Sequence, residues 1–187
     1  MLRFAALSAL AAVACVLASS SNSPVLADDT KLNVKEGDQF PDVPLAAAQI
    51  DKVKKDAKTV SIKDLKGKNV VVFFYPKALT KGCTIESCGF RDIAKDFPEN
   101  TVLLGASGDT VELQQKFIDE NKLPMALLAD IDQKLIKDLG ILGAAGGKTP
   151  KRVTFVVDKE GKIAKIYEKV DVNKHPKEVL EFVKTLK

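Results

Sequence analysis

The chain has no tryptophan, two tyrosines, one histidine and three cysteines among 187 residues. A single imidazole leaves a metal centre without the several convergent ligands it needs, and leaves a histidine-dependent hydrolase triad only His175 to work with. His175 itself, beside Pro176 at the start of an amphipathic helix, reads as a solvated surface residue. One-sided charge is missing as well. The 29 basic and 25 acidic residues are dispersed along the chain and leave +4, with no interleaving of aromatic and basic residues, which argues against a nucleic-acid partner. What is present, 45% hydrophobic and 29% charged residues, is the composition of a soluble globular domain and not of a disordered chain, a collagen or a coiled coil. The length suits one domain.

Long apolar runs are scarce, and the longest, Phe4 to Ala18, follows the basic start Met1-Leu2-Arg3 and precedes a polar stretch from Ser19 to Ser23. That pattern reads as an export signal, too short to span a bilayer in the mature protein. Small residues suited to cleavage stand at Val16-Leu17-Ala18 and at Val25-Leu26-Ala27. Cleavage after Ala27 is expected, because Asp28-Asp29-Thr30 then opens a mature chain of residues 28–187, destined for a periplasm, the exterior or an organelle lumen. Ala12-Val13-Ala14-Cys15 loosely resembles a lipoprotein box, but its usual Leu is missing and the apolar run continues beyond it, which favours soluble export over an anchor at Cys15. The mature chain then keeps Cys83 and Cys88, a pair free to form a disulfide in an oxidising compartment.

Along the mature chain, strands and helices alternate. Val70 to Tyr75 is a continuous apolar, β-branched and aromatic run, the signature of a central strand buried on both faces. Phe90, Ile93, Ala94 and Phe97 form the apolar stripe of a helix over 84–97, stopped by Pro98. A strand is expected at Thr101 to Ala106, then a helix to about Asn121 that opens with Asp109 and Glu112 as a capping box. Further strands are expected at Met125 to Ala129 and Val153 to Val157, separated by a short helix from Gln133 to Leu139 that Gly140 stops. A turn at Asp158 to Gly161 leads into a strand from Lys162 to Glu168, and Pro176 opens a final helix. The order is α/β, with a parallel-containing sheet and an antiparallel edge.

One motif invites a functional reading that its spacing does not support. Gly143 to Thr149, GAAGGKT, lacks the first Gly of a phosphate loop and runs into Pro150 and a strand where a helix is required, so it reads as a flexible loop. The informative segment is Pro76 to Cys88, PKALTKGCTIESC. A cysteine at a helix N-terminus meets free backbone N–H groups and the positive end of the macrodipole, which favour the thiolate over the thiol with its reference pKa of about 8.5. Cys83 is therefore a candidate nucleophile, with Gly82 permitting a tight turn and Thr80 able to place a hydroxyl close to the sulfur. Five residues of helix separate Cys83 from Cys88 by ~7.5 Å of rise, beyond the ~7 Å Cα limit for a disulfide. The pair bridges only if the first turns unwind, as a redox switch would; a structural disulfide closing a short loop is the alternative if the segment is not helical. Arginine is rare, and beyond residue 27 only Arg91 and Arg152 occur. Arg152 opens the strand RVTFVV, where a guanidinium near Cys83 would further favour thiolate; an ordinary surface ion pair is the competing reading for each.

Val71 to Pro76, the spacing Pro76-x-x-x-Thr80-x-x-Cys83, Cys88 and Phe90-Arg91-Asp92 together resemble the peroxiredoxins, most closely their PrxQ or bacterioferritin-comigratory-protein subgroup. The likeness extends over nearly the whole mature chain, through Glu36 to Asp42, Leu127 to Asp130 and Lys151 to Asp158. The resemblance implies a thioredoxin-like fold, a central mixed sheet flanked by helices, and a thiol peroxidase with no metal or organic cofactor. It implies Cys83 as peroxidatic thiolate, Thr80 and Arg152 holding thiolate and peroxide oxygens, Pro76 sheltering the pocket, and Cys88 resolving the sulfenic acid as an intramolecular disulfide. Hydrogen peroxide and organic hydroperoxides would be substrates and a thioredoxin-like dithiol protein the reductant; no dimer is required, so a monomer is expected. Lys81 and Ala78 depart from the subgroup's usual Pro and Asp, the Lys-rich stretch within Ala46 to Lys58 exceeds its usual turn, and an export signal is unusual in it. The alternatives are an exported thiol–disulfide oxidoreductase, whose C-x-x-C does not match, a copper-binding assembly factor on the same fold, which would need closer cysteines and a well-placed His, and an inactive thioredoxin-like domain whose cysteine pair only stabilises it.

Overall fold

The computed structural model describes residues 31–186 apart from 144–146 and 148. The stretch 1–27, expected to be an export signal, lies outside the described residues, as does most of the glycine-rich loop. Among the described residues, six strands form one sheet in the order β1-β4-β3-β2-β5-β6. They are β1 (Ala46–Ala48), β2 (Asn69–Phe74), β3 (Thr101–Ser107), β4 (Ala126–Ala129), β5 (Val153–Val157) and β6 (Ile163–Tyr167). Strands β2, β3 and β4 are parallel, while β1, β5 and β6 pair antiparallel at the two flanks. The α-helices of the described residues are α1 (Lys81–Asp92), α2 (Val111–Asn121), α3 (Lys134–Leu139) and α4 (His175–Thr185).

The period of two along β2 explains why its run is apolar throughout. Val70, Val72 and Phe74 enter one core with Leu135, Ile136, Leu139 and Phe155. Val71, Phe73 and Tyr75 enter the other, with Phe90 of α1, Phe117 of α2 and Val179 and Val183 of α4. Helix α3 therefore covers one face and α1, α2 and α4 the other, a layered α/β arrangement. Phe73 and Phe90 stack with ring centroids 4.6 Å apart, which fixes α1 over the strand that precedes it. Such a pair contributes about 0.5–1.5 kcal/mol beyond its buried area.

The expected elements form, with three differences. The strand β1 lies where only a long Lys-rich turn was expected, and its three alanines are short enough to let α2 approach the sheet edge. The apolar stripe past Phe90 does not continue the α-helix: α1 ends at Asp92, and Ala94–Asp96 form a single 3-10 turn before Pro98. Helix α2 is capped one residue later than Asp109, by Thr110, whose hydroxyl accepts from the Leu113 amide at 3.3 Å. That leaves the Asp109 carboxylate for another task. Before β5 the chain is drawn together by an Ile141 carbonyl that accepts from Lys151 N–H at 2.7 Å and a Gly143 N–H that donates to Thr149 at 2.9 Å.

His175 is a correction. It is fully buried, because it forms the first turn of α4 under the sheet with the ring of Phe90 on one side and Tyr167 on the other, centroids 5.7 and 5.1 Å away. Its Nε2 lies 2.8 Å from the Thr154 hydroxyl, and Nδ1 has no partner. The neighbouring Pro176 packs on Gly89, where a Cβ would stand 2.8 Å from the proline ring. Burial, then the charge of Arg152, lowers the pKa of His175 to about 4, so the neutral imidazole is the native form. An unfolded chain takes up this proton near pH 6.5 and the native one only near 4, so stability falls as pH drops through that window. Denaturant titrations at pH 7 and pH 4 should show the unaltered protein losing a few kcal/mol more than a His175→Gln variant; equal losses would contradict this assignment.

Candidate functional site

The site lies at the carboxyl ends of the parallel strands, where chain reversals leave backbone groups facing a crevice. After Phe74 ends β2, Tyr75 is buried with its hydroxyl donating to Gln114 Oε1, and Pro76 begins the loop into α1. Gln114 in turn donates to the Ser107 hydroxyl at 2.9 Å and to the Leu128 carbonyl at 3.1 Å. Ser107 donates to Asp109 at 2.9 Å, and the Asp109 carboxylate accepts the Ala78 amide at 2.7 Å. This chain of hydrogen bonds ties the loop to the ends of three strands. The tight turn falls at Leu79, with φ +62°, and not at Gly82, which sits inside the helix. Gly82 instead leaves space for Arg152, whose Nη2 would lie 3.5 Å from a Cβ there.

Thr80 is the N-cap of α1 by backbone conformation, but its side chain makes no cap bond. Its hydroxyl donates to the Lys77 carbonyl at 2.9 Å and not to Cys83. No cap side chain therefore occupies the first-turn amides of α1, and Cys83 is the third helical residue, with its side chain buried. Arg152, at the threshold of β5, reaches across: Nη2 donates to Cys83 Sγ at 3.2 Å, and Nη1 is paired with Glu86 Oε2. The antiparallel register Phe74 to Val153 brings this about, because it sets the start of β5 beside the end of β2. The buried sulfur and the buried carboxylate are thus joined by one half-buried guanidinium.

Glu86 has no solvent exposure and its second oxygen, Oε1, has no partner. Burial raises its pKa to about 7 despite the opposing pull of Arg152, so the carboxyl sits near the midpoint of its titration at neutral pH. Arg152 is pulled above its ordinary value, with burial opposed by Glu86 and by the Cys83 sulfur. As pH rises, the carboxylate charge of Glu86 competes with sulfur for the same cation.

Cys88 lies on the same helix, half-buried and as a free thiol like Cys83. Its Sγ is 3.7 Å from Asn121 Oδ1, at the end of α2. Arg91, whose surface ion-pair reading holds in part through Asp92, also donates to the Asn121 carbonyl at 2.8 Å. The structure thus brings together Cys83 and Arg152, sets Thr80 and Pro76 on the adjoining loop, and keeps Cys88 apart on a continuous helix. Sequence reasoning missed Glu86 and Asp109. Glu86 stands three residues after Cys83, on the same helical face, a spacing that could have marked it; Asp109 follows the end of a parallel strand but was read as a cap.

Comparison with known proteins converges on one family. The AhpC/TSA family matches residues 37–166. The chain is 37% identical over 161 residues to Peroxiredoxin Bcp of Bacillus subtilis (strain 168), covering 83% of this chain and 98% of that protein. It is 38% identical over 133 residues to the chloroplastic Peroxiredoxin Q of Suaeda salsa, covering 70% of this chain and 62% of the relative. The crystal structure of Peroxidoxin BcpB from Mycobacterium tuberculosis superposes with a TM-score of 0.72 at 30% identity, over 82% of this chain and 99% of that one. These likenesses do not favour the oxidoreductase or copper-binding alternatives.

Two outcomes follow for the cluster. Because the folded pKa of Glu86 lies above its unfolded value of about 4.5, its contribution to stability is present below that value and is lost as pH rises through about 7. The stability of the unaltered protein relative to Glu86→Gln should accordingly fall by a few kcal/mol between pH 4.5 and 8 in denaturant titrations. Arg152→Met, which removes the cation facing the sulfur, should slow oxidation of Cys83 by peroxide about 100-fold in stopped-flow measurements, as loss of a preorganised charge does; a change within twofold would remove Arg152 from the site.

Proposed function

The chain belongs to the AhpC/TSA family and, within it, to the PrxQ/Bcp peroxiredoxins, which are thiol peroxidases; from that premise we propose that Cys83 is the peroxidatic cysteine and Cys88 the cysteine that resolves it. The observation that carries this reading is the guanidinium of Arg152 at 3.2 Å from a buried Cys83 sulfur in the first turn of a helix. Both features place positive charge where a thiolate's negative charge resides.

The thiolate attacks the hydroxyl oxygen of the peroxide, the S–O bond forms as the O–O bond breaks, Cys83 becomes a sulfenic acid, and the departing oxygen takes a proton from solvent and leaves as water or an alcohol. Arg152, anchored through Glu86, faces the charge that develops on the oxygens as that bond lengthens. Thr80 is assigned the positioning of the peroxide: its own proton is committed to Lys77, which leaves the oxygen's lone pairs to accept from a hydroperoxide. Pro76 limits access of water to this entrance and brings no N–H of its own.

The second half of the cycle is conformational. With both cysteines on α1, the ~7.5 Å helical rise between them forbids a disulfide until the first turns unwind. The Cys88 thiol then attacks the sulfenate sulfur, expelling water and forming the disulfide, and a thioredoxin-like dithiol protein returns both thiols. Because the resolving cysteine is on the same chain, the cycle is complete in a monomer. We further propose export, supported by the apolar run from Phe4 to Ala18 and the small residues before Asp28.

Intact-mass measurement after one equivalent of hydrogen peroxide tests the two roles. The reduced protein should lose two hydrogens and both thiols, Cys88→Ser should gain one oxygen as a trapped sulfenic acid, and Cys83→Ser should remain reduced. Oxidation of Cys83 no faster than free cysteine would defeat the reading.

A further inference from the structure

Helix α1 is held at its C-terminal half by contacts that take no part in the chemistry at Cys83. The Cys88 thiol points to Asn121 Oδ1 at 3.7 Å, and Asn121 is itself oriented by its Nδ2, which donates to the Phe117 carbonyl at 3.0 Å. With the amide nitrogen committed there, the oxygen is the face turned to Cys88. Arg91, one turn further along α1, donates Nη1 to the backbone carbonyl of Asn121 at 2.8 Å and pairs with Asp92 at 2.8 Å. Two independent bonds therefore join the Cys88 segment of α1 to a single residue at the end of α2. Both exist only while α1 is helical around Cys88.

We infer that Asn121 and Arg91 form a latch on the resolving cysteine, setting how fast Cys88 is released to meet a sulfenic acid on Cys83 and hence how often that acid is oxidised a second time. The inference rests on the assignment of Cys83 and Cys88 above. The two fates compete for one intermediate. In the first, the Cys88 sulfur displaces oxygen from Cys83–SOH, the S–S bond forms, and water leaves with the thiol hydrogen and the hydroxyl. In the second, a further peroxide transfers one oxygen to Cys83–SOH, giving the sulfinic acid, while the peroxide is reduced to water or an alcohol. The first requires α1 to open and the second requires it to stay closed, because Arg152 faces Cys83 only when the helix is in place. Bonds present in the closed helix and absent from the open one slow release without touching peroxide attack.

Asn121 and Arg91 are thus positioning residues. Asn121→Ala removes the acceptor of the Cys88 thiol, and Arg91→Lys keeps a cation beside Cys88 while removing the fork that reaches the Asn121 carbonyl. Stopped-flow oxidation by hydrogen peroxide separates the two phases, and mass spectrometry at excess peroxide counts sulfinic acid. In both variants the sulfenate-forming phase should stay within twofold of the unaltered protein, the disulfide-forming phase should accelerate about fivefold to tenfold, the range expected for losing a hydrogen bond, and the sulfinic fraction should fall in proportion. Ile163→Val, on the opposite core of the sheet, supplies a general loss of stability and should leave the ratio of phases unchanged. A disulfide phase unchanged or slower in both variants, or accelerated as much by Ile163→Val, would overturn the latch. Absence of a sulfenate phase in the unaltered protein would overturn the cysteine assignment and the latch with it, an outcome distinguishable from failure of the latch alone.

Discussion

The contact on which the site depends is that of one guanidinium with two partners. Arg152 spends one nitrogen on the Cys83 sulfur and another on the Glu86 carboxylate, and the three groups are drawn from one helix and the residue that precedes one strand. A planar fork with fixed angles makes this possible; a lysine ammonium would serve one partner as a point charge but would not hold both at set positions. The burial of Glu86 gives the arrangement its pH sensitivity. A carboxyl that titrates near neutrality makes the share of the cation left for the sulfur depend on pH, whereas a solvated carboxylate would stay ionised and hold the cation permanently.

The rest of the fold serves to keep that contact in register. Phe73 stacking on Phe90 locates α1 over its own strand, and the antiparallel pairing of β5 on β2 carries Arg152 to the head of α1. The hydrogen bonds from Tyr75 through Gln114, Ser107 and Asp109 to the Ala78 amide fix the connecting loop, in which Leu79 is held at positive φ. A β-carbon in the left-handed region is unfavourable, so the loop keeps this shape because its neighbours leave it no other. The loop before Cys83 is thus held by hydrogen bonds, and α1 beyond it by the buried stack of Phe90 on Phe73.

Much of this was legible in the chain. The continuous apolar run of β2, the Gly140 stop, the Asp158 to Gly161 turn and the proline-led last helix each carry a local signal strong enough to survive folding. So does the spacing from Pro76 through Thr80 to Cys83, and the rarity of arginine drew notice to Arg152. What escaped depends on partners distant in sequence. His175 looks solvated by its polar neighbours and is buried because Phe90, Thr154 and Tyr167 close around it. Asp109 has the spacing of a cap, but its carboxylate is drawn to an amide 31 residues away. The Thr80 hydroxyl likewise turns to Lys77, a choice between two near acceptors that spacing does not decide.

The pinched neck before β5 has a consequence for how such a chain can change in length. Ile141 with Lys151 and Gly143 with Thr149 close the two sides of the connection, and the register of β5 is set independently by its ladder with β2. A change in the number of residues between Gly143 and Thr149 alters the closure entropy of that connection, which grows slowly with length, while the neck and the ladder keep β5 in register. The same insertion on the other side of Cys83, between Phe74 and Thr80, would shift the helix start relative to Arg152 and separate sulfur from cation. Length variation is therefore tolerable on one approach to the site and forbidden on the other.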